Sequence, residues 1–101
     1  MKKNNFRTYN LAVEFFKATQ KLHVKSFLRN QLDRAASSIA LNLREGNARI
    51  STVDRKHFFN IAYASADECI AILELANAHS EIQEQLDILC RHICRLIQNA
   101  K

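Results

Sequence analysis

The sequence has no proline, no tryptophan and one glycine among its 101 residues. Folds rich in strands or loops need many tight turns, which proline and glycine favour, so this composition favours helices joined by short connections. No apolar run approaches the ~20 residues of a membrane-spanning helix, and none follows the basic N-terminal residues as in a signal peptide. We therefore expect a soluble, cytoplasmic protein with no membrane partner.

The three cysteines are an odd number in a chain without a secretory signal, so a disulfide framework is not expected. Cys90 and Cys94 lie four residues apart, close enough to share a helix face. Tetrahedral zinc needs four ligands, however, and the sequence has no C-x-x-C pair. We expect reduced thiols that fill the core, with no metal and no cofactor.

Four stretches carry apolar residues at alternating steps of three and four, which is typical of amphipathic helices. The predicted helices span about residues 8–23, 27–45, 52–78 and 81–98. Short connections make successive helices antiparallel neighbours, so we predict an all-α, antiparallel up-down-up-down four-helix bundle. The whole chain, 1–101, forms one domain at this length.

Local signals mark the ends of these helices. Gly46 follows the second helix and is predicted to take the left-handed conformation that often ends a helix. Ser51 with Asp54, or Thr52 alone, suits the N-cap of the third helix, and Ser80 would form a capping box with Gln83 at the start of the fourth.

Apolar residues cover more than half of the circumference of the third helix. Its predicted core face carries Phe58, Ile61, Ala62, Ser65, Glu68 or Cys69, Ile72, and Leu75 or Ala76. Further apolar residues fall on the adjoining faces: Phe59, Tyr63, Ala66, Ile70 and Leu73. A small bundle covers only one side of each helix, so this pattern predicts a second subunit and hence a homo-oligomer.

Charge is unevenly distributed along the chain. Residues 1–56 carry twelve Lys and Arg against four Asp and Glu, whereas residues 57–101 carry three against six. A basic half favours phosphate binding, but it could equally dock the acidic half of a neighbouring subunit or be a solvated surface. The candidate contacts with nucleic acid are Lys17, Lys21, Lys25, Arg29, Arg49, Arg55 and Lys56.

A second set of polar residues falls where the second and third helices should pack. Its members are Arg34, Asn42, Glu45, Ser65 and Glu68. Polar groups at a close helix contact must find partners, so we predict a buried hydrogen-bonded network that specifies packing. No nucleophile motif or glycine-rich phosphate loop is present, and we expect no catalytic residues and no enzymatic activity.

Residues 34–46 resemble the pattern RAAxSIxxNxxEG of the four-helix bundle protein family, whose members include proteins encoded by intervening sequences of 23S ribosomal RNA genes. Residues 58–68 resemble the same family's FxxxAxxSxxE helix, and residues 9–16 resemble its first helix more loosely. The connection between the first two helices is shorter here than in that family and lacks its Phe-Pro pair.

The resemblance implies a ring-shaped homopentamer. It also implies kinship with the accessory variability protein of diversity-generating retroelements, a basic pentamer that binds nucleic acid and a reverse transcriptase. A reverse transcriptase is therefore an expected partner if this chain is encoded in such a retroelement.

The sequence thus supports two functional hypotheses. In the first, the chain is a non-enzymatic homo-oligomer whose basic N-terminal half binds RNA or DNA. In the second, it is a structural or adaptor module whose basic half serves association between subunits.

Overall fold

A computed structural model describes residues 6–100 of the chain, so the predicted domain bounds 1–101 extend at both ends beyond the described residues. Four α-helices account for most of this part: α1 (Arg7–Thr19), α2 (Ser26–Ala48), α3 (Thr52–Leu75) and α4 (Ser80–Asn99). No strand occurs within residues 6–100. The predicted all-α, four-helix fold is confirmed. α1 ends four residues earlier than predicted, α3 ends three residues earlier, and α2 continues three residues further.

The helices form a closed ring in which each packs against the next along the chain and α4 packs against α1. α2 and α3 run antiparallel, since Ser38 bonds Ser65 while Gly46, further along α2, faces Phe59, earlier on α3. α2 and α3 also share more of their length in contact than any other pair.

α1 and α2 are antiparallel as well. Gln20, just past the end of α1, donates to Asp33 near the start of α2 over 2.9 Å. At the other end of the pair, the Arg44 guanidinium carbon lies 5.3 Å from the centre of the Tyr9 ring. The connections 49–51 and 76–79 are only three and four residues long, so each returns the chain directly to a neighbouring position.

The core is built from one stripe of each helix. On α1 the buried positions are Thr8, Ala12, Phe15 and Thr19, while Leu11 and Ala18 are only partly buried at its margin, as is Leu22 just beyond its end. Burying a large aromatic or branched side chain is the main source of stability in such a bundle. The largest side chains that are almost completely buried include Phe15, Leu32, Ile39, Leu43, Leu73, Leu86 and Ile93.

The core face of α3 differs from the prediction. The buried residues are Phe59, Ala62, Ala66, Cys69, Ile72 and Leu73. Phe58, Ile61 and Ser65 lie at the margin, and Leu75 is exposed. The error arose because α3 is apolar on several faces, so its periodicity does not single out one stripe.

Gly46 lies inside α2 and has no left-handed conformation, since α2 continues to Ala48. The predicted reason for this glycine is therefore wrong. A Cβ atom at Gly46 would lie only 2.7 Å and 2.8 Å from two carbons of the buried Phe59 ring. Gly46 is needed because α2 and α3 approach each other closely there. The left-handed residue is Asn77 instead, with φ 54°, just after α3.

One of the two predicted caps is present. The Ser51 hydroxyl accepts a hydrogen bond from the Asp54 backbone amide at the start of α3. At α4, the imidazole of His79 accepts from the Ile82 amide, so His79 replaces Ser80 as the cap, and Gln83 donates to the carbonyl of Ala78. Within residues 6–100, no helix combines the length and apolar character that crossing a bilayer requires.

Candidate functional site

The seven candidate phosphate contacts lie in two groups at opposite ends of α2. Around the connection between α1 and α2 are Lys17, Lys21, Lys25 and Arg29. Around the connection between α2 and α3 are Arg49, Arg55 and Lys56. The 23 residues of α2 rise about 35 Å, so one protein molecule does not present these cations as a single patch.

Arg29 serves the fold of the α1–α2 connection. Its guanidinium donates to the carbonyl oxygens of Thr19 and Leu22 over 3.0 and 3.1 Å. The same group pairs with Asp33 over 2.8 Å. The hydrogen bond from Gln20, together with the Arg29 charge, holds the pKa of Asp33 below its ordinary value although burial opposes this. Because both terminal nitrogens of Arg29 bond within the chain and its Nε is buried, Arg29 is a poor candidate for binding phosphate.

Arg49 and Arg55 are also engaged at the α2–α3 connection. Arg49 pairs with Glu45 over 2.7 Å, and its guanidinium carbon lies 4.8 Å from the centre of the Phe58 ring. Arg55 donates to the carbonyl oxygen of Ile50 and fixes the turn. Both arginines therefore stabilise this turn through contacts within the chain.

The lysines at the other end differ from these arginines. Lys17, Lys21 and Lys25 are all exposed, and within residues 6–100 none of their amino groups has a hydrogen bond or ion pair. Their spacing of four residues does not place them in one row along a helix, because α1 ends at Thr19. Lys21 lies in the connection and Lys25 immediately precedes α2. Three cations without ion pairs thus surround one connection of the bundle, and Glu81 lines the same cleft as Lys21.

The predicted polar network is present only in part. The Ser65 hydroxyl of α3 donates to the Ser38 hydroxyl of α2 over 2.8 Å. Asn42 donates to the same hydroxyl over 3.0 Å and to the Ser38 carbonyl over 2.9 Å. Sequence reasoning missed Ser38, the central acceptor, although it lies in the RAASSI segment and one helical turn before Asn42.

The other three predicted members are exposed and do not join this network. Glu45 forms its ion pair with Arg49 near the α2–α3 turn. Arg34 and Glu68 both line an open cleft of about 440 Å³ between α2 and α3, together with Ala35, Ser38 and Ser65. The expectation of one buried five-residue network is therefore corrected to a serine–asparagine cluster beside an exposed charged cleft.

The serine–asparagine cluster gives a prediction for stability. We expect Ser38→Ala to lower the free energy of unfolding by about 1 kcal/mol or slightly more, because Ser65 and Asn42 lose their shared acceptor. Ser37→Ala is a matched control, since the neighbouring Ser37 hydroxyl donates only to the carbonyl of Arg34 within the same helix. Urea denaturation of both variants measures the difference, and equal stabilities would show that the cluster contributes nothing.

The cysteines and histidines do not assemble into a reactive centre in the described part of the chain. Burial raises the pKa of the Cys69 thiol to about 12 and that of Cys90 to about 11. Neutral thiols are weak nucleophiles and metal ligands. Within residues 6–100, no three His, Cys, Asp or Glu side chains are placed to hold a metal ion.

Comparison with known proteins agrees with this architecture. A family model described as 23S rRNA-intervening sequence protein matches residues 6–99, which is nearly the whole chain. No curated protein gives a significant match to this sequence.

Proposed function

We propose that this chain, which belongs to the 23S rRNA-intervening sequence protein family, is a non-enzymatic, self-associating protein of the cytoplasm that binds RNA or DNA. The observation that carries the nucleic-acid proposal is the group of three exposed, unpaired lysines at the α1–α2 connection, Lys17, Lys21 and Lys25. Cations without internal partners can neutralise phosphates and release counterions without breaking any bond of the fold.

The expected recognition is of the phosphate backbone. Reading bases in single strands usually needs aromatic side chains on which the bases stack. Within residues 6–100 the exposed aromatic side chains of phenylalanine and tyrosine are Phe27, two residues after Lys25, and Tyr63 on α3, so the lysine group has one aromatic neighbour in sequence rather than a series of rings on which successive bases could stack. Binding should therefore depend strongly on salt and only weakly on base sequence.

The test compares two triple variants that remove the same charge. We expect Lys17→Gln/Lys21→Gln/Lys25→Gln to weaken binding to a labelled RNA hairpin and a labelled DNA duplex at least tenfold at low salt. On duplex DNA, the slope of log affinity against log salt should become shallower by about 3, since each phosphate contact contributes roughly 0.9. Fluorescence anisotropy over a salt series measures both quantities.

The control variant is Arg7→Gln/Arg91→Gln/Arg95→Gln, which removes three exposed positive charges from α1 and α4. It should bind with nearly the wild-type salt slope if the lysine group is the contact surface. If both triple variants weakened binding equally, the effect would come from net charge and not from the lysine group. If the wild type showed no salt-sensitive binding, the nucleic-acid proposal would be wrong.

The adaptor function is the second candidate, and one observation favours it. The basic part of the chain forms α1 and α2, which pack side by side, while α3 after its first turn and α4 carry the acidic excess. Opposite sides of the bundle therefore carry opposite charge, as docking between copies would require. Light scattering in low and high salt, without nucleic acid, tests it: an assembly that dissociates with salt while ignoring RNA and DNA supports the adaptor.

A further inference from the structure

The connection between α1 and α2 carries an exposed aromatic ring beside its lysines. Phe27 is 66% exposed, more than any other phenylalanine or tyrosine of residues 6–100. Within those residues no second ring and no cationic group packs on it, whereas Phe6, Tyr9 and Phe58 each have such a neighbour. Much of the Phe27 ring is therefore free to contact another molecule.

The backbone that carries Phe27 is fixed by contacts on both sides. Phe27 is the second residue of α2, and Leu28, which follows it, is buried in the core. The connection that leads into α2 is held by Arg29, whose guanidinium bonds the carbonyl oxygens of Thr19 and Leu22. A phenylalanine side chain has only two rotatable bonds, so a ring held in this way loses little conformational freedom when it binds a ligand.

The lysines of the connection lie on the outer side of the segment that leads to Phe27. Exposed and half-buried side chains alternate along residues 21–25, in the order Lys21, Leu22, His23, Val24 and Lys25. The two apolar residues of this series pack against the core, which leaves both lysines on the outside. Lys25 and Phe27 are two residues apart, so their Cα atoms are separated by at most about 7.6 Å. A cation and an aromatic ring thus lie close together at the start of α2.

We propose that Phe27 stacks on one unpaired base of a nucleic acid while the lysines of this connection contact the phosphates of the same strand. The inference rests on the proposed function, because it names the form of nucleic acid that gains the most contacts at the lysine group. Every nucleotide carries an apolar base face and a phosphate, and an aromatic ring flanked by lysines matches both. Bases inside a continuous duplex stack on one another, so single strands, loops and overhangs make a contact that duplex cannot make.

A base suits this position better than a second copy of the chain does. The exposed residues beside Phe27 on α2 are polar: Ser26 precedes it, and Asn30 and Gln31 lie one turn further along. The apolar area that α2 offers here is therefore that of one side chain. Interfaces between protein molecules have a contiguous apolar core, whereas stacking by a base needs a single ring.

Binding of a labelled single strand of thymidines, and of its duplex with an adenosine strand, tests the proposal. We expect Phe27→Leu to weaken binding of the single strand about tenfold and that of the duplex less than about twofold. The slope of log affinity against log salt should stay unchanged, because no phosphate contact is lost. Phe27→Trp restores a ring and should bind the single strand at least as tightly as the wild type does. Fluorescence anisotropy over a salt series measures all of these quantities.

Two controls isolate the contribution of the ring. Ile50→Ala removes a 95% exposed apolar side chain beside Arg49 at the other end of α2, and it should leave single-strand binding within about twofold of the wild type. An abasic strand of the same length has phosphates but no base to stack. Wild type and Phe27→Leu should therefore bind the abasic strand equally, and any coupling between ring and base appears as the difference between the two strands.

The outcomes separate this inference from the proposed function. If Phe27→Leu left single-strand binding unchanged, or weakened binding of the single strand, the duplex and the abasic strand equally, the stacking contact would be wrong and the nucleic-acid proposal would stand. A wild type without salt-sensitive binding would overturn both. If Phe27→Leu dissociated the assembly in sedimentation velocity without changing single-strand binding, the ring would be covered by another copy, which also contradicts the proposal. Circular dichroism confirms that each variant is folded.

Discussion

Replacing Arg29 with methionine is expected to lower the free energy of unfolding by about 3 kcal/mol. The guanidinium satisfies two carbonyl oxygens at the end of α1, those of Thr19 and Leu22, and it pairs with Asp33. Hydrogen bonds to charged groups contribute roughly 1.5–3 kcal/mol each. The Thr19 carbonyl also accepts from the Leu22 amide, so the expected loss is smaller than the sum over all the bonds. Methionine preserves much of the packing of the side-chain stem, so the loss reports on these bonds. Urea denaturation followed by circular dichroism measures it.

Two further variants separate the contributions at this connection. Arg29→Lys keeps the charge, but a single ammonium group cannot reproduce the fork that spans two carbonyls and a carboxylate, so most of the loss should remain. Asp33→Asn removes only a partly exposed ion pair and should cost much less, at most about 1 kcal/mol. If Arg29→Lys were as stable as the wild type, the guanidinium geometry would not matter and the proposed role of Arg29 would be wrong.

Gly46→Leu is expected to destabilise the bundle by about 3 kcal/mol, at the upper end of the range for overpacking a core. Even the first added carbon would lie 2.7 Å from the Phe59 ring and 3.1 Å from the Cβ atom of Phe58. Phe59 is only 4% exposed, so moving its ring away from an added side chain would cost contacts within the core. The better helix propensity of leucine recovers at most about 1 kcal/mol. Thermal or urea denaturation measures the change.

A second substitution distinguishes a local clash from a general effect of a larger residue. Gly46→Leu/Phe59→Ala should be less destabilising than the sum of the two single variants, because the leucine then occupies the space that the ring vacates. Ala48→Leu, at an exposed position two residues later, should leave stability within about 0.5 kcal/mol of the wild type. Strict additivity of the double variant would show that the close approach of α2 to Phe59 is not the cause.

The contacts of Arg29 and Gly46 explain why the sequence alone did not reveal the structural roles of these two residues. Arg29 was a candidate phosphate contact because it belongs to a basic half, and Gly46 was a candidate helix end because glycine often ends helices. Both interpretations use the nearest neighbours in the sequence. The actual partners of Arg29 include the carbonyl of Thr19, and the partner of Gly46 is Phe59 on the next helix, so packing alone reveals them.

The polar residues between α2 and α3 also include some that the sequence could place and some that it could not. The sequence correctly identified Ser65 as a member of a polar contact between the second and third helices, because polar residues in an otherwise small and apolar helix interface need partners. Asn42 joins this contact only through Ser38 of its own helix. The sequence could not separate Arg34 and Glu68 from them. Whether a long charged side chain turns inward or reaches the surface depends on the depth of the cleft, which the sequence does not contain.

The sequence by itself determined that this chain is all-helical and has four helices, because hydrophobic periodicity and turn composition can be read from residues that are close together in the chain. The motif in residues 34–46 likewise indicated its family. Tertiary structure decided which face of α3 is buried, why Gly46 is glycine and which cations remain free. Each of these depends on atoms brought together from different helices. The seven predicted cations illustrate the difference: local charge made them equivalent, and the packing of the bundle divided them between two ends about 35 Å apart.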